Sequence, residues 1–232
     1  MLSIVIGALR ASMVCIVLCG MLYPLILTAI GQLILPFQAN GSLERKADGT
    51  IVGSRLIGQQ WNGPEWFHGR PSATTKTDPN DPSRTVPLPY NAGNSAGSNL
   101  GPTSKRLMER LMSDRRSLEA VQPELVGALL PADMLTASAS GLDPDISPAN
   151  ATLQVTRVAR ARGIPEAHLD TLLKQHVMGR TLGMFGEPRV NVLALNLALE
   201  QACPSRGENH GRCIFDSGSR RDGGRLTYHV VK

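Results

Sequence analysis

The chain has 232 residues, with 24 Lys+Arg against 19 Asp+Glu, and length alone allows one or two domains. Residues 37–200 hold 17 basic and 16 acidic side chains, a net of +1, whereas residues 201–232 hold 6 and 3. The basic excess sits mostly in the tail, and a near-neutral central region lacks the electrostatic footprint of a nucleic-acid binder.

From Ala11 to Leu35 there is no charged side chain, and Leu, Ile, Val, Met and Ala dominate. As a helix this stretch rises about 37 Å at ~1.5 Å per residue, enough to span a hydrocarbon core about 30 Å thick with some tilt. Pro24 lies inside it, and a kink there is tolerable in a membrane helix. A cleaved signal peptide has a shorter apolar region and a small-residue cleavage site, and neither is present here. A lipoprotein anchor needs small residues before the modified cysteine, but Cys15 follows Met13-Val14 and Cys19 follows Val17-Leu18. The reading is a retained transmembrane anchor. Arg10 on one side and Arg45, Lys46 and Arg55 on the other, diluted by Glu44 and Asp48, leave the positive-inside count undecided.

Residues 37–50 read as a polar connector, and Ile51–Gly58 as a short strand punctuated by glycine. Residues 59–102 are rich in Gly, Pro, Asn, Ser and Thr, which predicts an irregular stretch. Trp61, Trp66, Phe67 and Tyr90 fall within it and are expected to pack on their own domain. A helix is predicted from Ser104 to about Ser117, with Leu107, Met108 and Leu111 as its apolar stripe and Lys105, Arg106, Arg110, Arg115 and Arg116 as a solvated face. Leu135–Gly141 is a small-residue run leading to a turn at Asp143-Pro144.

Ser147-Pro148 supplies an N-cap and a proline at the first helical position, and Gly163 a left-handed terminator, which predicts a helix through Val155, Val158 and Arg162. Another begins at Pro165, with Leu169, Leu172, Leu173 and Val177 at helical spacing, and closes near Gly179. Asn191 suits the cap of a last helix from Leu193 to Leu199, although Leu193, Leu195, Leu197 and Leu199 also alternate as in a strand. From Pro204 the chain is rich in Gly, Ser and Arg and reads as disordered. Cys15 and Cys19 behave as small apolar residues in the membrane. Cys203 and Cys213 are ten positions apart, which suits a local disulfide and an oxidising compartment.

Catalytic motifs are missing. No G-x-x-x-x-G-K-[ST] loop occurs, and Gly97–Lys105 has its lysine in the wrong place. There is no G-x-S-x-G turn. Cys203, His210 and Cys213 form a weak metal trio. Ser138, Ser140 and Asp143 can be drawn as a hydrolase constellation, but no histidine is placed as base, and small hydroxyl residues before a turn are usually structural. His68, His168 and His176 read as surface histidines. The residues alone indicate an anchored domain without a catalytic site of its own, the profile of an accessory subunit. Two rival readings remain: an anchored hydrolase using Ser138 or Ser140, and a small-ligand binding module built on the aromatic loop.

Several ordered blocks carry a resemblance. They are Gly58-Gln59 with Phe67–Ala73, Tyr90–Ser95 running into Gly97–Thr103, Thr136–Pro148, Gln154–Gly163, and Gly186–Leu193. Over about residues 1–200 the chain resembles the C subunit of the bacterial Kdp potassium-transporting P-type ATPase. The resemblance implies a high-affinity, ATP-driven potassium uptake complex in the inner membrane. Its implied partners are a channel-like potassium-translocating subunit, a P-type ATP-hydrolysing subunit and a very small stabilising peptide. The C subunit is credited with aiding assembly and raising the ATP affinity of the hydrolysing subunit, so ATP is implied only through the complex. A domain outside the cytoplasm cannot touch cytoplasmic ATP, so such an effect must be a coupling through shared states. The sequence departs from the family's expected pattern with Ala139 for Gly, Asp145 for His, and an extension beyond about residue 201.

The combined expectation is an α+β chain. Residues 1–10 form a cytoplasmic N-terminus and 11–36 a transmembrane helix. Residues 37–200 form an extracytoplasmic (periplasmic) mixed domain with several helices and few short strands, and 201–232 a polar extension. No catalytic or metal residue is assigned, and no cofactor-binding residue is identified. Asn99, Gly101, Ser140 and Asp143 are the candidate docking residues, because Gly and Ser permit close backbone approach and the Asp143-Pro144 turn fixes the exit of the chain. Cys203 and Cys213 are the candidate disulfide.

Overall fold

A computed structural model describes residues 1–46 and 49–204. The tail read as disordered therefore lies outside the described residues, as do His210 and Cys213 and with them the candidate metal trio and disulfide. The chain divides into two compact units, Met1–Gly58 and the residues from Gln59 onward. Helices and short strands are both present, so the described chain is of mixed class.

The first unit is governed by apolar continuity. Helix α1 (Leu2–Cys15), a π-helical stretch (Ile16–Leu22) and α2 (Tyr23–Ile34) form one helix, Leu2–Ile34, long and apolar enough to cross a membrane. It starts earlier than the uncharged run because Arg10 is helical too; a long charged side chain does not end a helix and can reach toward water. The π-helical stretch has a visible cause. Pro24 has no N–H to donate and its ring crowds the carbonyl of Gly20, and immediately before it the ladder widens so that Tyr23 N–H donates to Leu18 O, five residues back. Leu35, which precedes Pro36, leaves the helical region at φ −131°. A single turn, α3 (Pro36–Ala39), follows, and β1 (Leu43–Arg45) pairs antiparallel with β2 (Ile51–Ser54). The strand expected over Ile51–Gly58 is thus shorter, and an ion pair between Arg55 and Glu44 flanks it.

In the second unit, residues 59–102 are not irregular throughout. β3 (Thr75–Asp78) and β4 (Asp81–Pro87) form a hairpin. Apart from Pro82, Val86 and Pro87 its strand residues are polar, and all are exposed or half-exposed, so it carries no apolar alternation to reveal it. Helix α4 (Lys105–Val121) begins at the expected cap, with Leu107 N–H donating to Ser104 Oγ, and runs past Ser117. A 3-10 turn (Pro123–Leu125) and a short α5 (Ala132–Leu135) lead to the core.

That core is built by α6 (Pro148–Arg162), α7 (Glu166–His176) and α8 (Val192–Ala202) with a small sheet. The sheet has the order β5 (Asp145–Ile146), β7 (Arg189–Asn191), β6 (Val177–Met178), all antiparallel. Val155, Val158 and Ala159 of α6, Leu169 and Leu173 of α7, and Leu195 and Leu199 of α8 pack with Ile146, Val190 and Phe67. The caps of α6 are those the sequence predicts: Asn150 N–H donates to Ser147 Oγ, Pro148 opens the helix, and Gly163 terminates it at φ +68°. Helix α7 stops at His176 rather than near Gly179, because Val177 and Met178 are taken up by pairing with β7. The choice at 193–199 resolves as a helix capped by Asn191. It is buried on several faces, including Leu193, Leu195, Asn196, Ala198 and Leu199, which is why its periodicity also fits a strand.

Candidate functional site

Among the described residues of the second unit, the distinctive features are two ways of fixing irregular chain. The first is a clamp on Phe67 and His68. Phe67 N–H donates to Asn196 Oδ1 at 2.9 Å, and Asn196 Nδ2 donates back to Phe67 O at 2.9 Å. His68 N–H donates to Gln154 Oε1 at 2.8 Å, and Gln154 Nε2 donates to His68 O at 3.1 Å. The two carboxamides imitate a neighbouring strand for a segment that has none. Both are buried, so the pairing satisfies groups that would otherwise be lost to water. Around the clamp, Arg157 donates to Gln154 Oε1 and Pro64 O, and Arg162 donates to Glu65 O and lies 4.4 Å from the Trp66 ring centroid. The Trp61 and Trp66 rings meet with centroids 5.0 Å apart and planes tilted by 42°, so the loop aromatics are engaged by their own domain as expected.

His68 is not a surface histidine. It is half-buried and its Nε2 sits 2.8 Å from Gly63 O. Burial lowers its pKa below the usual value, with the Arg157 charge acting the same way; the Gly63 carbonyl and Glu65 oppose them. Burial also pulls the Arg157 guanidinium down to about 10.

The second feature is a knot of small residues that joins the recognisable blocks. Ala96 N–H and Ser95 Oγ both donate to Ser140 O, at 3.0 and 2.9 Å. A Cβ on Gly97 would lie 2.5 Å from Ala139 O, and one on Gly141 would lie 2.5 Å from Ala96 O. Gly141 also has φ +70°, so both space and backbone require glycine there. Ser72 Oγ donates to Gly141 O at 2.7 Å, and Tyr90 OH donates to Arg70 O at 2.6 Å. Burial pushes the Tyr90 phenol up to about 12, which keeps it a donor. Arg70 pairs with Asp143 at 3.0 Å and reaches the Ala137 carbonyl, tying Phe67–Ala73 to Thr136–Pro148.

The candidate docking residues divide between two environments. Asn99, Gly101 and Ser140 are exposed, and Asn99 holds a left-handed backbone at φ +49°. Asp143 is half-buried; besides Arg70 it accepts from Asp145 N–H at 3.0 Å. The structure brings Ser140 and Asp143 into the knot, whereas Asn99 and Gly101 lie beyond Gly97 on the way to α4. Ser138 is buried, with its N–H donated to Pro71 O, and Ser140 Oγ accepts from Leu142 N–H at 3.1 Å. Asp145 pairs with Arg189 at 3.0 Å and accepts from Asn191 Nδ2; burial raises its pKa, opposed by those two partners.

Sequence reasoning overlooked Gln154, Asn196 and Asp133. Asp133 receives Ser147 N–H at 2.7 Å and Asn150 Nδ2 at 3.1 Å, bracing the start of α6. Asn196 carried a usable signal: an amide inside the otherwise apolar run Val192–Leu199 implies a partner.

Residues 5–201 match the family described as KdpC, the K+-transporting ATPase c chain. The chain belongs to this family. Similar proteins include the potassium-transporting ATPase KdpC subunit of Methylobacterium nodulans, 56% identical over 184 residues that cover 79% of this chain and 90% of the relative. The subunit of the same name from Bradyrhizobium diazoefficiens is 56% identical over 183 residues, covering 79% and 89% of the two chains. That from Rhodopseudomonas palustris BisB18 is 56% identical over 185 residues, covering 80% and 91%. Membership makes the chain a component of a potassium-transporting ATPase, and the long apolar helix is consistent with a membrane anchor.

Proposed function

We propose that this chain is the non-catalytic, single-pass accessory subunit of an ATP-driven, high-affinity potassium uptake complex in the inner membrane. The observation that carries the reading is the family match across residues 5–201. Its partners are a channel-like potassium-translocating subunit, a P-type ATP-hydrolysing subunit and a small stabilising peptide. The domain lies on the periplasmic side and supports assembly. The exposed residues Asn99, Gly101 and Ser140 meet a partner, and Asp143, braced by Arg70, sets the path of the chain beneath them. Any rise in ATP affinity is a coupling free energy carried by the states of the complex, since ATP is bound by another subunit.

Co-purification tests this. The tagged full chain, solubilised in mild detergent, is expected to bring down both large subunits, and Asn99→Ala to weaken that retention. Recovery of the chain alone would refute the subunit role. Placement is checked with Ser83→Cys on the exposed face of β4, in a background without Cys203 and Cys213. Labelling by an impermeant thiol reagent in intact spheroplasts is expected; labelling only after lysis would reverse the topology.

A further inference from the structure

The loop between β6 and β7 is built in a way that its own domain does not explain. Thr181 and Phe185 form an isolated antiparallel bridge, with Thr181 N–H donating to Phe185 O at 2.8 Å and Phe185 N–H to Thr181 O at 3.0 Å. Arg180 Nη2 reaches both carboxylate oxygens of Glu187 at 2.9 Å, closing the base of the loop. The backbone is pinned, yet among the described residues its side chains have little cover: Leu182, Met184 and Phe185 are 85%, 72% and 61% exposed. Leu182 also holds φ +53°, a left-handed conformation in which Asn or Gly would sit at less cost. An apolar residue that is both strained and solvated works against the stability of the isolated domain. Such local conflicts are expected where a surface serves a partner.

The charge arrangement indicates what kind of partner. The cations flanking the tip are neutralised, Arg180 by Glu187 and Arg189 by Asp145. With both flanking cations paired, the tip lacks the cationic attraction that holds a segment at an anionic lipid surface. An electrically balanced, pre-organised apolar projection fits instead an apolar protein groove, where a rigid anchor loses little entropy on docking. Residues 35–58 join the apolar helix to this unit, and even fully extended they reach about 80 Å at ~3.3–3.6 Å per residue. A subunit embedded in the same membrane is therefore within reach of the tip.

We propose that the Leu182–Phe185 tip is an apolar plug that docks in an apolar groove of a membrane-embedded protein subunit of the same transport complex. This rests on the subunit reading above, and adds a contact separate from Asn99, Gly101 and Ser140.

The test replaces Phe185 by the photo-crosslinker benzoylphenylalanine in the full chain, expressed with the other subunits and irradiated in native membranes. A crosslink to a membrane-embedded protein subunit is expected. In parallel, Leu182→Asn with Met184→Ser and Phe185→Ser should lower subunit retention in detergent at least tenfold, while the tryptophan emission of Trp61 and Trp66 stays native. A crosslink to lipid alone would make the bilayer the occupant and overturn the proposal. So would the absence of any crosslink while the unmodified chain still brings its partners down. If the unmodified chain brings none down, the subunit reading fails and takes this proposal with it.

Discussion

The Phe67–His68 clamp and the Ala96–Ser140 knot both hold chain that has no strand neighbour, and they do it by opposite means. The clamp uses long side chains: Gln154 and Asn196 reach from two helices and supply the hydrogen bonds of an absent strand. The knot uses missing side chains, since Gly97 and Gly141 let backbone approach backbone and the serine hydroxyls close what remains. The clamp is buried in the core, while the knot surfaces at Ser140. The first should therefore set stability, and the second should set the shape of a surface.

Removing the clamp should have the largest effect. Asn196→Leu strips the partners from the buried Phe67 N–H and C=O, and should cost about 3–4 kcal/mol at ~1–3 kcal/mol per orphaned group. Trp61 and Trp66, the two tryptophans of the chain, report it directly in urea unfolding followed by fluorescence. A cost below about 1 kcal/mol would mean the clamp is ornamental. The knot comes next. Gly141→Ala forces an L residue to φ +70° and against Ala96 O, and should cost about 2–3 kcal/mol, read in the same unfolding assay. Native stability in that variant would leave the knot without a structural role.

A pH series separates the two regions, because only the clamp contains a histidine. The His68 pKa is depressed in the folded state, so neutral His68 is favoured by folding. Its contribution is fully present above the unfolded value near 6.5 and is lost as pH falls from there toward the folded value. Stability should therefore drop between about pH 7 and pH 5 more steeply in the wild type than in His68→Gln. Parallel curves would remove His68 from the account. Ser140→Ala should have the smallest effect, about 0.5 kcal/mol or less, because the exposed hydroxyl accepts Leu142 N–H alone among the described residues while the carbonyl that ties the knot is unchanged. It also serves as the control for a hydrolase: an intrinsic esterase activity abolished by this change would reassign the protein.

The two regions also differed in legibility. The helices with local signals could be read from sequence, because Ser104, Ser147, Asn191 and Gly163 act within three or four residues of where they stand. The small-residue blocks were legible as blocks, and Gly and Ser suggested close approach, but nothing local says that Ala96 meets Ser140. The clamp was invisible, since Asn196 and Phe67 are separated by 129 positions and only folding brings them together. The β3–β4 hairpin was missed for a different reason: largely polar on both faces, it has no hydrophobic period to read. The apolar tip at Leu182–Phe185 looked like a loop, and it became informative only once its exposure was known.

The central claim is that this chain shapes a complex and performs no chemistry itself. The most direct measurement is potassium-stimulated ATP hydrolysis by three purified samples: the complex with this chain, the complex prepared without it, and this chain alone. The account predicts activity in the first, loss of activity or disassembly in the second, and none in the third. Full potassium-stimulated hydrolysis by an intact complex lacking the chain, or ATP hydrolysis by the chain alone, would contradict it.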